Sequence, residues 1–230
     1  MAIIATETQH YSNVIKYELW PEKGFCKKLV TLNGAVSTGL PIGAVLGSYI
    51  ASATGTAAAM VGTGNATAGT ITATADTNLQ QGVYTVKMTA ATTFNAYDTK
   101  GTLIGSGVNG TAFTQNGLSF VITAGATPAV AGDTIAITVA GTVKYKLNET
   151  TATDGTQVPS VVVVGDASGR PVSQAVVVNT DTTFLVMYRG PAAVADASLT
   201  FGASVTAGAV RTAALLALTA ASGIDVLAQA

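Results

Sequence analysis

Alternating apolar and polar positions dominate this chain, and they predict strands. Residues 83–89 alternate strictly, with Val83, Thr85 and Lys87 on one face and Tyr84, Val86 and Met88 on the other. A period of two places one face against a core and the other in solvent. Residues 70–75 alternate as well, and residues 93–97, 102–104, 118–123 and 134–139 read as further short strands. Residues 98–101, Asn109-Gly110, Asn116-Gly117 and residues 131–133 supply turns between them. Short strands with Gly, Asn and Asp punctuation at this spacing predict an immunoglobulin-like β-sandwich.

On either side of that stretch the pattern differs. Residues 27–32 alternate loosely and run into Asn33-Gly34, a tight-turn pair. Residues 41–47 read as a short strand fenced by glycines, and residues 142–146, 161–164, 171–178 and 182–188 as further strands, with turns at 166–169 and 179–181. One helix is predicted, over about 207–222. Val210, Ala214, Leu218 and Ala221 recur at helical spacing with Leu215 beside them, forming one apolar stripe. Gly223 stands where a left-handed C-terminal residue belongs, and residues 224–227 read as a closing strand.

Composition divides the chain of 230 residues into three parts. Residues 51–141 are rich in Thr, Ala, Gly and Val with hardly any charge, and they open on a low-complexity run, 55–69, that reads as a hinge or linker. They form an insert in a module made of residues 27–50 plus 142–230. Residues 1–26 form an N-terminal arm. Glu7, His10, Lys16, Glu18, Glu22 and Lys23 sit there among Tyr11, Tyr17, Trp20 and Phe25, without a clean period and broken by Pro21 and Gly24. An irregular terminal arm stays disordered unless something ties it down, so one reading is a floppy tail. The other is docking on a partner, with Tyr11, Tyr17, Trp20 and Phe25 as the candidate contacts, since aromatic side chains are favoured at interfaces.

Charge and chemistry narrow the function. Only 10% of residues are charged and the net charge is −1, which leaves no electrostatic footprint for nucleic acid. No apolar run approaches the ~20 residues of a membrane span, no basic amphipathic helix suits a membrane surface, and the first residues lack the basic start of a signal peptide. Cys26 is the single cysteine and reads as a small, partly buried hydrophobe; His10 is the single histidine. Neither a zinc site nor a nucleophile–base pair is expected from them. Gly105-Ser-Gly107-Val-Asn-Gly110 matches a dinucleotide-binding motif in letters, but strand and turn follow it instead of a helix, so a β-turn is expected. Asp76, Asp98, Asp133, Asp154, Asp166, Asp181, Asp196 and Asp225 are scattered, mostly in turns where the side chain bonds nearby backbone. No calcium-loop spacing surrounds Asp166 or Asp181. The expectation is no catalytic residue, no cofactor, no metal, and no enzyme.

Several segments, taken in order, carry a resemblance. They are the lysine-bearing strand of residues 28–34, the proline-glycine strand of 41–47, and the linker from Tyr145 to Asp154-Gly155. The valine strand of 161–164, the strands of 176–188, the Arg189-Gly190 corner and the late Ala/Leu helix with Gly223-Ile224 complete the series. Together they resemble the head decoration (capsid cement) proteins of tailed bacteriophages, over residues 30–50 and 143–230. The resemblance implies a small mainly β core with one C-terminal helix. It also implies a place on the outer surface of the expanded capsid, with the major capsid protein as partner and self-association as a trimer, or else a dimer. The protein would be made in the host cytoplasm and carried in the virion, stabilising the shell against DNA pressure. The insert would project outward, within reach of host-surface glycans. The alternatives are a phage tail, baseplate or surface-adhesion sandwich and, third, a carbohydrate-active enzyme.

Overall fold

The computed structural model describes residues 11–20, 24–33, 40–168 and 181–228. Two compact units emerge from the contacts: Met1–Ser48 with Lys144–Ala152 and Thr156–Ala230, and Tyr49–Val143 with Thr153–Gly155. The elements run α1 (Tyr11–Val14), β1 (Ile15–Glu18), β2 (Lys27–Leu32), β3 (Val45–Ala57), β4 (Thr67–Ala68), β5 (Thr72–Ala73), β6 (Gly82–Met88), β7 (Thr93–Tyr97) and β8 (Leu103–Val108). They continue with β9 (Ala112–Gln115), β10 (Leu118–Thr123), β11 (Thr134–Leu147), β12 (Pro159–Asp166), β13 (Thr182–Met187), β14 (Ala192–Ala195), α2 (Ala209–Ser222) and β15 (Ile224–Leu227). The protein is mainly β, with a single long helix among the described residues, near the C-terminus. The chain leaves the first unit within β3 and returns within β11.

In the first unit the sheet order is β2-β13-β12-β3. The end of β11 lies against both β2 and β3: Tyr145 is opposite Leu32, and the Asn148 N–H donates to the Val45 carbonyl at 2.9 Å. Strand β12 explains the valine run. Val161 and Val163 enter one core with Leu32, Leu46, Phe184 and Val186, while Val162 and Val164 enter another with Val45, Met187, Leu218 and Ile224. A strand buried on both faces reads as a continuous apolar run.

The second of these cores is covered by α2 and by a three-stranded sheet, β1-β14-β15. Helix α2 buries Ala214, Leu218 and Ser222, so its inward stripe is rotated from the expected one. Val210 and Ala221 face solvent, while Leu215 packs at the edge of the core beside the 214/218/222 line. Gly223 adopts φ +67 and ends the helix, its N–H bonded to the Thr219 carbonyl at 2.8 Å.

The second unit is a β-sandwich. One sheet contains β11-β6-β7-β8, and β10 centres the other, with β4 and β5 along one edge and β9 on the other. Tyr84, Val86 and Met88 point inward from β6, and Phe94, Phe113, Phe120, Ile135 and Ile137 fill the same core. The three Phe rings pack with centroids 4.9–5.9 Å apart.

Glycines account for most of the departures from the expected elements. The strand of residues 41–47 begins later and runs through Gly47 and Gly55 to Ala57, and the strands of 134–139 and 142–146 are one, continuous through Gly141. These glycines are close-approach sites. A Cβ on Gly47 would lie 2.2 Å from the Thr156 carbonyl oxygen, and one on Gly141 would lie 2.5 Å from an Ile50 methyl. The expected linker at 55–69 is packed structure: Val61 bridges Thr134, Ala66 is buried, and Gly64 lies under Ala129. The single strand expected at 70–75 is shortened to β5, while β4 forms just before it. Gly105 and Gly107 belong to β8, with Gly107 directly beneath the Phe94 ring; only Asn109-Gly110 turns. Asn33-Gly34, His10 and the expected elements at 171–178 and 179–181 fall wholly or partly outside the described residues.

Candidate functional site

The arm is the second departure. Residues 11–20 are structured: β1 pairs antiparallel with β14, and Val14 and Ile15 sit in the core with Cys26. An apolar pair at Val14-Ile15 and a strand partner far along the chain draw the segment in. Neither is visible as a local period.

Beyond β1 the chain is stitched to the corner that follows β13. The Leu19 N–H donates to the Pro191 carbonyl at 3.2 Å, and the Tyr188 N–H to the Cys26 carbonyl at 2.9 Å. The Cys26 thiol reaches the Pro191 carbonyl at 3.4 Å, consistent with a buried structural cysteine. The Gly190 N–H donates to the Ser222 carbonyl at 2.8 Å, tying the same corner to the end of α2.

On this frame six side chains form a ladder of four rings and two cations. Trp20 meets Phe25 edge to face, with centroids 5.5 Å apart at 84°. The Arg189 guanidinium lies 3.9 Å from the Phe25 ring centroid and 5.0 Å from that of Tyr188, and its Nε donates to the Phe25 carbonyl at 2.8 Å. Lys28 Nζ lies 4.9 Å from the Tyr188 ring and 5.6 Å from Tyr145, and donates to the Tyr145 hydroxyl at 3.2 Å. Cation–ring contacts of this kind contribute about 0.5–2 kcal/mol each, depending on exposure.

Trp20 is the informative member. The residue is 51% exposed, and its backbone sits at φ +46, in the left-handed region that disfavours bulky side chains. Such a conformation costs about 1–3 kcal/mol and persists where its surroundings impose it, often at functional sites. Among the four aromatic residues singled out by sequence, Trp20 and Phe25 are brought together. Tyr17 is exposed on β1 opposite Ala193, and Tyr11 opens α1. Sequence reasoning missed Arg189 and Lys28 as site residues, and Tyr145 and Tyr188 with them. No local signal joins segments so far apart in the chain.

Most of the aspartates serve structure. Asp76, Asp98 and Asp166 accept backbone N–H groups two residues on, and Asp181 and Asp196 pair with Lys144 and Arg211, each at 2.7 Å. Asp133 does more than close a turn. Its carboxylate accepts N–H bonds from Val130, Thr63 and Gly64 at 2.8–2.9 Å, which hold its pKa below the ordinary value. In the first unit burial raises the Glu149 pKa, but bonds from Ser204 and Ala203 outweigh it and leave a net lowering. Among the described residues no group of three or more His, Cys, Asp or Glu could hold a metal ion.

These two carboxylates set an acid limit. A carboxyl with a depressed folded pKa contributes stability above its unfolded pKa, about 4, and loses it as pH falls through the folded value. Thermal midpoints are therefore expected to be flat with respect to these groups from pH 7 to about 5 and to fall below about 4. Asp133→Asn should flatten the acid limb of the second unit. A midpoint scan by circular dichroism checks both.

No protein-family model and no curated protein matches the chain. Similar solved structures include two crystal structures of FlgL from Xanthomonas campestris, each 22% identical over 49% of this chain with a TM-score of 0.25. The chain spans about a third of FlgL (34% and 33%). A likeness this low carries no argument.

Proposed function

We propose that this chain is a structural virion protein that binds the outside of an expanded bacteriophage capsid and stabilises it against DNA pressure. In this reading residues 51–141 project outward and the protein works as a homo-oligomer, a trimer by resemblance. The observation that carries it is the ring-and-cation ladder. A half-exposed Trp held in a strained backbone, braced by Phe25 and Arg189, is a preformed anchor of the kind that dominates protein interfaces. The segments that carry the family resemblance also meet in one unit: β2, β12, β13 and the Arg189-Gly190 corner, which closes on Ser222 and Gly223. A ligand that binds only the assembled lattice stabilises it by mass action, and repetition over the shell adds avidity.

Two measurements test the reading. Virions with the protein should retain their DNA to higher temperature than undecorated ones; equal retention refutes it. Trp20→Gly relieves the strained φ, which offsets the loss of the Phe25 ring contact, so folding stability should change by no more than about 1–2 kcal/mol. Affinity for expanded capsids, read from occupancy as a function of protein concentration, should fall roughly thirtyfold, the scale of an anchor residue. Labelled protein found on tails instead of heads would assign it to the tail or adhesion class.

A further inference from the structure

We propose that the ladder receives a carboxylate-bearing, extended segment of the partner, with Arg189 as the residue that reads it. This rests on taking the ladder as the face that meets the shell. The observation behind it is a contrast with three other cations of the same unit. Lys27 pairs with Glu18 at 3.0 Å, Lys144 with Asp181 at 2.7 Å and Arg211 with Asp196 at 2.7 Å. Lys28 and Arg189 are both exposed, and both rest on rings, with no carboxylate partner among the described residues.

The geometry suits a carboxylate. Contacts with the Phe25 and Tyr188 rings and the bond from Nε to the Phe25 carbonyl hold the guanidinium in place. Its terminal amino groups remain for a bidentate acceptor. A guanidinium already braced loses less freedom on pairing, and its planar fork matches a carboxylate in a way an ammonium does not. Lys28, next along the ladder, supplies a second positive charge beyond Tyr188, so a segment with more than one acidic residue fits better than an isolated one. Trp20 offers the apolar half of the contact at the other end. Nucleic acid is the poorer fit, since its affinity comes from many neutralised phosphates, and this ladder holds two cations in a chain of net charge −1.

The test uses the full chain and two channels. By NMR, the Arg189 Nε–H and Trp20 indole N–H resonances should shift and saturate with hexaglutamate and stay in place with hexaglutamine. Arg189→Lys, which keeps the charge and removes the fork, should weaken hexaglutamate binding about tenfold or more. Lys87→Gln, an exposed lysine of the second unit, should leave it unchanged. No shift at Arg189, an equal response to hexaglutamine, or equal binding of inorganic phosphate overturns the inference. Capsid binding is measured in parallel. Capsids that bind the wild-type chain while Arg189 stays silent refute the acidic segment and leave the shell reading standing. A responsive Arg189 with no capsid binding refutes the shell reading and leaves the carboxylate site.

Discussion

Phe120→Ala is expected to unfold the second unit at a much lower temperature while the first unit keeps its transition. Phe120 is 1% exposed at the centre of β10, between β9 on one side and β4 and β5 on the other, with Phe113 and Phe94 against its ring. Truncating a buried Phe costs about 3–5 kcal/mol through lost transfer energy and the cavity left behind. Stability of a domain is about 5–15 kcal/mol in total. For a unit of this size the midpoint should drop by roughly 12 °C or more. The chain offers a clean readout, because its one Trp, Trp20, lies in the first unit. Tryptophan fluorescence reports that unit, whereas far-ultraviolet circular dichroism reports both. The expected result is a lowered first transition by dichroism and an unmoved fluorescence transition. If the two move together, the units fold as one, and the insert is not an independent domain. The same question can be put to residues 49–143 expressed alone, whose amide NMR spectrum should be dispersed.

Gly190→Ala is expected to be the corresponding lesion of the first unit. A Cβ there would sit 1.9 Å from the Gly223 carbonyl oxygen and 2.7 Å from its carbon, backbone that no rotamer change can move aside. The corner must separate from the end of α2, breaking the Gly190 bond to the Ser222 carbonyl. Overpacking of about 1–3 kcal/mol and about 1 kcal/mol for the bond give a loss of about 2–4 kcal/mol. The fluorescence transition should fall and the second unit should stay. Gly110→Ala provides the comparison: its φ is +79, yet nothing lies within 4 Å of the added methyl. It should cost about 1 kcal/mol, the conformational term alone. Equal losses at the two positions would show that the contact with Gly223 is not what requires glycine at 190. Since Arg189 precedes the corner, Gly190→Ala should also weaken the ladder's hold on any partner.

Periodic burial was legible along the chain because it is local. The alternation of residues 83–89 became β6 with Tyr84, Val86 and Met88 inside, and the strands at 27–32, 93–97 and 118–123 have the expected bounds. The unbroken valines at 161–164 became a strand buried on both faces, and Gly223 ended the helix in the left-handed conformation its residue type allows. Each of these follows from one segment's side chains and backbone preferences.

Partnership between distant segments was decided only in the folded chain. The pairing of β1 with β14 rests on four-residue strands with no distinctive alternation, so neither announces itself alone. The glycines at 47, 55 and 141 look in sequence like strand breakers, yet they lie within strands where another chain segment passes too close for a Cβ. Residue type shows that a glycine is permissive; only the neighbour across the gap shows whether that permission serves a turn or a close approach. The ladder has the same character. The concentration of aromatics near the N-terminus marked Trp20 and Phe25, but the cations between the rings come from β2 and from the corner after β13. Hydrophobic period encodes which face of an element is buried, and cation–ring geometry depends on which elements become neighbours, a property the chain acquires when its cores close.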